Sequence, residues 1–366
     1  MAIKFYSPTR ISLVKFTSLF DWPLLVSASL LLFLGLTVLF STNPEAAKSQ
    51  LLFAAIGMVA FLLVSSVDYH FWRYSAWHWY FLTMILLVLV LVLGRVARGS
   101  ARWLTIGQRG IQPSELAKIS LILILSRFFY PLSTRWLSLK KIILSIILAG
   151  PLVFLVFAQP DLGTTLIILG IWVFLAIYAG VKPSYLLMIL LLGGLASYPA
   201  WRVLQPYQKE RVAMFLNPYM DPLGAGYHIL QSKIAIGSGG FWGRGFGRGT
   251  QSHLLFLPEY YTDFVFASFA EEWGFLGSLV MIGLFVVLML RILQIAKRCE
   301  DNFGEMLCVG VFAMLMLQVL INMGMNLGLM PVTGITLPLV SYGGSSLITV
   351  MISLGLVQAV ARKKRL

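Results

Sequence analysis

The chain has 366 residues, of which 59% are hydrophobic and 11% are charged, and its mean hydropathy is +0.86. This composition excludes an ordinary soluble domain and indicates a membrane protein with many helices in the bilayer. The formal net charge of +14 could suggest nucleic acid as a partner. The basic residues, however, are spread over both predicted membrane faces, so we expect contacts with anionic membrane lipids and no nucleic acid.

Apolar runs of about 20 residues are long enough to cross the hydrocarbon core as helices. Ten such runs predict an all-α, polytopic membrane protein with a single transmembrane domain over residues 1–366. The runs are residues 22–40, 50–67, 77–94, 113–131, 141–158, 161–180, 184–200, 263–290, 305–329 and 337–360. Between the seventh and eighth runs lies a long segment, residues 201–262, for which we predict an ordered extracytoplasmic loop.

The N-terminal segment sets the predicted orientation. Lys4, Arg10 and Lys15 precede the first apolar run, and the positive-inside rule places them in the cytoplasm. No small-residue cleavage site follows that run, so we expect an uncleaved first helix. An even number of crossings then returns the basic residues at 362–365 to the cytoplasm. We therefore predict a multi-pass protein of the cytoplasmic (inner) membrane with both termini inside.

The loop before the fourth run, residues 95–112, contains Arg95, Arg98, Arg102 and Arg109 and no acid. Such a loop on the outer face is unexpected under the positive-inside rule. One interpretation is a short loop that tolerates its arginines. The other is a site for an anionic group, since arginine forms bidentate contacts with phosphate oxygens and four of them suit a diphosphate.

Three carboxylates stand at the predicted outer starts of helices: Glu115, Asp161 and Asp263. A proline precedes each of the first two, as expected in a first helical turn. Simple helix capping, worth about 1 kcal/mol, is one explanation for each acid. A charge near the hydrocarbon costs roughly 2.5–3.5 kcal/mol, so three acids on one face also indicate a functional site. Lys118 lies three residues after Glu115 and can pair with it or bind a substrate phosphate.

Two glycine-rich stretches leave alternatives open. In residues 237–249 the glycines either allow the backbone to approach a ligand, with Arg244 and Arg248 supplying charge, or form a flexible hairpin. Residues 341–346 lie within the predicted last helix, where small residues allow close helix packing or a broken helix that lines a cavity. We expect Glu271 and Glu272, deeper in the eighth run, to find packing partners within the bundle.

The chain contains, in order, the blocks Ala101-Arg-Trp-Leu104, Gln112-Pro-Ser-Glu-Leu-Ala-Lys118, Gln159-Pro-Asp-Leu-Gly-Thr-Thr165, Tyr227-His-Ile-Leu-Gln-Ser-Lys-Ile-Ala-Ile-Gly-Ser-Gly-Gly240, Thr250-Gln-Ser-His-Leu-Leu-Phe-Leu-Pro-Glu-Tyr-Tyr-Thr-Asp-Phe264, Pro331-Val-Thr-Gly334 and Ser341-Tyr-Gly-Gly-Ser-Ser346. With these blocks the chain resembles the SEDS family (shape, elongation, division and sporulation), and in particular its RodA branch.

The resemblance implies a peptidoglycan glycosyltransferase that polymerises lipid II on the outer face of the cytoplasmic membrane during cell elongation and rod-shape maintenance. It implies a class B penicillin-binding protein, a transpeptidase, as partner within the elongation machinery. It also implies that Asp263 is the essential acid.

The expected reaction is an inverting glycosyl transfer in which a polyprenyl diphosphate leaves. Asp263 would act as general base on the acceptor hydroxyl. Glu115 and Asp161 would position sugar hydroxyls or share a divalent cation, Mg²⁺ or Mn²⁺, that bridges the diphosphate. The expected cationic groups for the diphosphate are Arg102, Arg109, Lys118 and Lys233.

Three other functions remain in view. A division paralogue of the FtsW type would perform the same chemistry. A lipid II flippase or transporter would need charged groups along a cavity that reaches both leaflets, and a scaffold would only recruit a partner enzyme. The ionisable residues of the apolar runs concentrate at the predicted outer ends, which favours the enzyme over both the transporter and the scaffold.

Overall fold

The computed structural model describes residues 20–93, 95–97, 100–106, 109–130, 137–222, 224 and 226–363. Its helices are α1 (Trp22–Thr42), α2 (Pro44–Ser66), α3 (Tyr69–Leu93), α4 (Pro113–Phe128), α5 (Leu139–Ala158), α6 (Leu162–Tyr178), α7 (Pro183–Val203), α8 (Pro206–Leu216), α9 (Tyr227–Ser238), α10 (Thr250–His253), α11 (Val265–Lys297), α12 (Asn302–Asn326) and α13 (Gly344–Lys363). Three short strands are β1 (Arg95–Ala97), β2 (Ser100–Ile106) and β3 (Arg109–Ile111).

Each of the ten predicted apolar runs overlaps one of these helices, so the helical class is confirmed. In the described residues, seven helices are long and apolar enough to cross a membrane: α1, α2, α3, α5, α11, α12 and most of α13. α6 and the first part of α7 are shorter apolar helices. The remaining run coincides with α4, in which nearly every side chain is buried between α3, α6 and α12. α4 therefore lies in the centre of the bundle.

Polar residues between the apolar runs fix where several helices start. The Asp21 side chain accepts a hydrogen bond from the N–H of Leu24 and caps α1. Asn43 ends α1 and caps α2 through the N–H of Ala46. These side chains satisfy backbone groups that a helix end leaves without a partner. The observed helix boundaries therefore differ from the predicted ones by a few residues. Polar capping residues set these boundaries, and the limits of an apolar run do not reveal where they lie.

The segment predicted as a plain loop before α4 contains a small antiparallel sheet in the order β1-β2-β3. Leu104 pairs with Ile111 and Ile106 pairs with Arg109 across β2 and β3. The sequence pattern missed these strands because they are short and each includes an arginine, so no clear alternation of apolar and polar residues marks them. Hydrogen bonds between backbone groups make this segment regular, and hydropathy does not reveal such pairing.

The last apolar run also differs from its prediction. It was expected to be helical from residue 337, but α13 begins at Gly344, and residues 327–343 are irregular. The Ser341 hydroxyl accepts from the N–H of Leu337 at 2.8 Å and donates to the carbonyl of Thr262 at 2.6 Å. The chain is therefore not helical before Gly344, and close packing is also present, since a Cβ on Gly344 would lie 2.7 Å from the Phe53 ring. Lining of a cavity by residues 341–346 stays a prediction.

The glycine-rich stretch 237–249 packs closely against α11. α11 has a break at Gly274, where φ is +66°. A Cβ on Gly243 would lie 2.1 Å from the carbonyl oxygen of Glu272, so only glycine fits at this approach. Backbone-to-backbone packing therefore explains the glycine at residue 243, and a role of Arg244 and Arg248 toward a ligand stays a prediction.

The two adjacent acids of α11 have the packing partners that we expected within the protein. Glu271 is fully buried and accepts hydrogen bonds from the N–H groups of Gln251 and Ser252, which caps α10. The Ser41 hydroxyl donates to Glu272. Both carboxylates thus join α11 to neighbouring elements.

Candidate functional site

A cavity of about 530 Å³ lies where α8 and α9 meet the chain segment that precedes α11. Its described lining is rich in charged and aromatic groups: Tyr207, Glu210, Arg211, Met214, Gly224, His228, Ile229, Pro258, Glu259, Asp263, Phe264 and Val332. Asp263, the acid singled out in the sequence, is half-buried here. The cavity is large enough for a polar headgroup of several heavy atoms.

The backbone on both sides of Asp263 is held by hydrogen bonds. The N–H groups of Thr262 and Phe264 both donate to the carbonyl of Glu259 at 3.2 Å. The N–H of Tyr342 donates to the carbonyl of Tyr261 at 3.0 Å. Residues 259–264 are therefore an ordered turn before α11, and this turn fixes the backbone from which the Asp263 side chain extends.

Several further ionisable groups in the cavity, the acids Glu210 and Glu259 among them, were not among the predicted site residues. Arg211 lies on α8, and His228 lies on α9 with its ring stacked on Phe264 at 6.2 Å between centroids. Burial and the nearby Arg211 guanidinium lower the pKa of His228, against the opposing effect of Glu259. His228 is therefore neutral at pH 7, and Arg211 supplies positive charge in the same cavity as Asp263.

A weak signal for these two residues exists in the sequence. His228 stands inside the block Tyr227–Gly240, but an isolated histidine has no spacing that indicates a role. Arg211 lies in a helix with both signs of charge, which is typical of a solvated surface. Neither pattern reveals that α8 folds over the start of α11.

Glu115 and Lys118 form a buried ion pair in α4. The Lys118 Nζ lies 2.8 Å from both Glu115 carboxylate oxygens, and the two residues are 2% and 7% exposed. The predicted pairing at a spacing of three residues is thus present. Each charge compensates the other, which is the arrangement that lets a lysine remain in a protein interior.

Asp161 caps α6 and connects it to the start of α4. Its carboxylate accepts from the N–H of Thr164 at 3.2 Å, the hydroxyl of Thr164 at 2.9 Å and the amide of Gln112 at 3.2 Å. Asp161 is only 4% exposed. The capping explanation holds for this acid, and a contact with substrate stays a prediction.

The irregular segment 327–343 separates Asp161 from Asp263. On one side, a Cβ on Gly163 would lie 2.8 Å from the carbonyl of Thr333, so α6 packs directly against this segment. On the other side, a Cβ on Gly334 would lie 3.6 Å from a carboxylate oxygen of Asp263. The acids therefore adjoin one another through this segment but do not form one cluster.

The predicted cations fall into two groups. Lys233 is exposed on α9 and lies over Gly328, outside the described lining of the cavity. Arg102 and Arg109 lie on β2 and β3, and their side chains lie outside the described residues. The structure thus does not bring Lys233 to Asp263, and the roles of the two arginines stay predictions.

The donor groups of Glu115 and Asp161 do not fit a shared divalent cation. Both oxygens of Glu115 accept from Lys118, and Asp161 accepts from neighbouring hydroxyl, amide and N–H groups. Among the described residues, no group of three or more His, Cys, Asp or Glu side chains is placed to hold a metal ion.

Comparisons with known proteins agree with one another. The FtsW/RodA/SpoVE family model, described as cell cycle protein, matches residues 10–366. The peptidoglycan glycosyltransferase MrdB of Escherichia coli K12 is 39% identical over 313 residues, which covers 85% of this chain and 84% of the relative.

Solved structures are similar over nearly the whole chain. A chain from a structure described as "Structural coordination of polymerization and crosslinking by a peptidoglycan synthase complex" has a TM-score of 0.81 and 36% identity, and the match covers 94% of this chain and 98% of that one. The rod shape determining protein RodA of Thermus thermophilus has a TM-score of 0.72 and 31% identity over 94% of this chain and 97% of that one.

Proposed function

The chain belongs to the FtsW/RodA/SpoVE family, and from this premise we propose that it is a peptidoglycan glycosyltransferase that polymerises lipid II during cell elongation. The similarity to proteins named peptidoglycan glycosyltransferase and rod shape determining protein supports the activity and the elongation role. The observation that carries the proposal is the cavity in which Asp263 and Arg211 lie together.

The proposed topology has ten membrane crossings, with both termini in the cytoplasm and the Asp263 cavity outside. The correspondence between the ten apolar runs and ten helices supports it, and the basic residues before α1 and after α13 set its direction. Residues 201–262 would then cover the outer ends of the helices with α8, α9 and α10.

Asp263 is the proposed general base. Its carboxylate would accept the proton from the 4-hydroxyl of the acceptor sugar as that oxygen attacks C1 of the donor sugar. The bond from C1 to the diphosphate oxygen breaks on the opposite face, so the configuration at C1 inverts. A half-buried carboxylate with an ordered backbone is suited to this role because its position needs no rearrangement during the reaction.

Arg211 is the proposed contact of the departing diphosphate in the cavity. The planar guanidinium matches the geometry of phosphate oxygens and stabilises the charge that develops on the leaving group. Tyr207 and neutral His228 would supply hydrogen bonds to sugar or phosphate groups nearby.

Other predicted residues keep distinct proposed roles. Arg102 and Arg109 would bind the diphosphate from the β2–β3 side, and Lys233 would meet the anionic lipid surface near α9. Glu115, Lys118 and Asp161 would hold α4 and α6 in place, and we derive no catalytic step through them. A divalent cation on the diphosphate stays a prediction that addition of Mg²⁺, Mn²⁺ or a chelator to the assay tests.

The proposed partner is a class B penicillin-binding protein that crosslinks the new glycan. The similarity to a chain in a complex described as coordinating polymerisation and crosslinking supports this partner. The enzyme would supply the strand and the partner the peptide crosslink.

The deciding experiment is polymerisation of lipid II by the purified protein, with and without its partner, for the native chain and Asp263→Asn. Glycan ladders that the variant fails to produce are the expected result. A fully active Asp263→Asn variant would remove the assignment of the base. Absence of ladders even with partner and cation, together with movement of labelled lipid II across liposome bilayers, would instead favour the transporter.

A further inference from the structure

α11 starts without a cap from its own sequence. The residue at the N-cap position is Phe264, whose side chain has no oxygen to accept a backbone N–H. The first N–H groups of a helix have no partner within the helix. The N–H of Ala267, in this first turn, donates to Oδ1 of Asn326 on α12 at 3.1 Å. The cap of α11 therefore comes from another helix.

The same asparagine also holds the residue proposed as base. Nδ2 of Asn326 donates to the backbone carbonyl of Asp263 at 3.0 Å, and Nδ2 of Asn322 donates to the same carbonyl at 3.0 Å. Both asparagines have no exposed surface. One peptide group is thus fixed by two buried amides, where most carbonyls of a turn have one partner or water.

The asparagine pair is in turn tied to two other segments around the cavity. Asn322 Nδ2 also donates to the carbonyl of Ile335 at 2.7 Å, which anchors the irregular segment 327–343. The hydroxyl of Ser232 on α9 donates to the carbonyl of Asn326 at 2.7 Å. One end of α12 therefore fixes the relative positions of three segments around the cavity: α9, segment 327–343 and the start of α11.

We propose that Asn326, together with Asn322, is a positioning residue that sets the place of the Asp263 carboxylate by capping α11 and holding the Asp263 peptide. This inference rests on the proposed function of Asp263. A displacement of about 1 Å at a reacting group costs roughly 100-fold in rate, and loss of these bonds allows a displacement of that order. Neither asparagine is in the described lining of the cavity, so the expected loss falls on kcat.

The test compares alanine variants on one helix by steady-state kinetics of lipid II polymerisation. We expect Asn326→Ala to lower kcat by about 30- to 100-fold while KM stays within about twofold, because the lost interaction acts on the base and not on substrate binding. The control is Gln318→Ala, which truncates another buried side chain of α12, one whose Oε1 has no hydrogen-bond partner among the described residues. This control reports the cost of truncating a buried side chain of the helix without loss of the bonds to α11. Thermal unfolding of each purified variant measures stability, and only Asn326→Ala is expected to lose kcat.

Asn322→Ala is the second variant, since it leaves the cap of α11 intact and removes one of the two donors to Asp263. We expect a smaller loss of kcat, again with KM unchanged. A native kcat in both asparagine variants would overturn the proposal, and so would a parallel rise in KM. Failure of both to fold would assign the pair to stability alone and also overturn it.

The outcomes separate this inference from the proposed function. If the native protein makes no glycan, or if Asp263→Asn is active, the proposed function fails. If Asp263→Asn is inactive while Asn326→Ala retains the native kcat, the function stands and only the positioning role is lost.

Discussion

The acids on the two sides of the irregular segment 327–343 have opposite surroundings. Glu115 and Asp161 are almost completely buried, and their oxygens accept hydrogen bonds from neighbouring protein groups. Asp263 lines a cavity, and its backbone carbonyl accepts hydrogen bonds from two buried amides. Three acids that look alike in sequence thus divide into one that is paired within α4, one that joins α6 to the start of α4, and one that lines a cavity.

The strongest test of this contrast is Asp263→Asn. The amide keeps the shape of the side chain but cannot take a proton, so we expect the rate to fall by about 10²–10⁴-fold, the usual contribution of a general base. Thermal stability should stay at the native value because the bonds at this residue that position α11 use its carbonyl. The measurements are initial rates of glycan formation and the unfolding midpoint in detergent. A large loss of stability would place Asp263 with the structural acids.

Lys118→Met tests whether the buried Glu115 has a structural role. The substitution leaves the Glu115 carboxylate buried without its cation, and breaking a buried ion pair in this way costs about 3–5 kcal/mol. We expect a marked loss of folded protein in thermal unfolding measurements.

The matched control is the double variant Glu115→Gln with Lys118→Met, in which no charge remains to be compensated. Its stability should return most of the way to the native value. If the single Lys118→Met variant is as stable as the native protein, the ion pair does not stabilise α4. That result would favour a contact between Lys118 and the substrate.

Arg211→Lys tests whether Arg211 contacts the diphosphate in the cavity. Lysine keeps the charge but loses the paired N–H groups that meet two phosphate oxygens. A charged hydrogen bond contributes about 1.5–3 kcal/mol, so kcat/KM for lipid II should fall roughly 10- to 100-fold. Lys209→Arg on the same helix, outside the described lining of the cavity, is the control and should keep the native value. Equal values for both variants would remove Arg211 from the site.

His228→Gln gives the smallest expected effect, on the pH dependence of stability. The folded protein holds the pKa of His228 below its ordinary value of 6.5, so the unfolded chain binds the proton more readily. Stability from this group is present above about pH 6.5 and is lost as the pH falls below it. The unfolding midpoint of the native protein should therefore drop slightly more between pH 7.5 and pH 5.5 than that of the variant. Parallel pH profiles would contradict this.

Hydropathy was sufficient to locate ten of the helices, because a bilayer demands about 20 apolar residues from each crossing, but it did not locate α8, α9 or α10. The pair of Glu115 and Lys118 also followed from spacing alone, since residues three apart meet on one helical face. Arg211 could not be found in this way. Its helix α8 has no long apolar run, and its position over Asp263 depends on how the segment between α7 and α11 folds back.

The break in α11 shows a second limit of local patterns. Gly274 interrupts the helix, and the N–H groups of Arg244 and Gly245 donate to the carbonyls of Glu271 and Glu272 at 3.0 Å. The N–H of Phe275 in turn donates to the carbonyl of Gly240 at 2.9 Å. The hydrogen bonds that this helix omits are therefore completed by a distant stretch of chain. The break in α11 therefore depends on two separate stretches of the sequence, the helix itself and residues 240–245. A methyl group added at residue 243 would disturb α11 although residue 243 is not part of that helix.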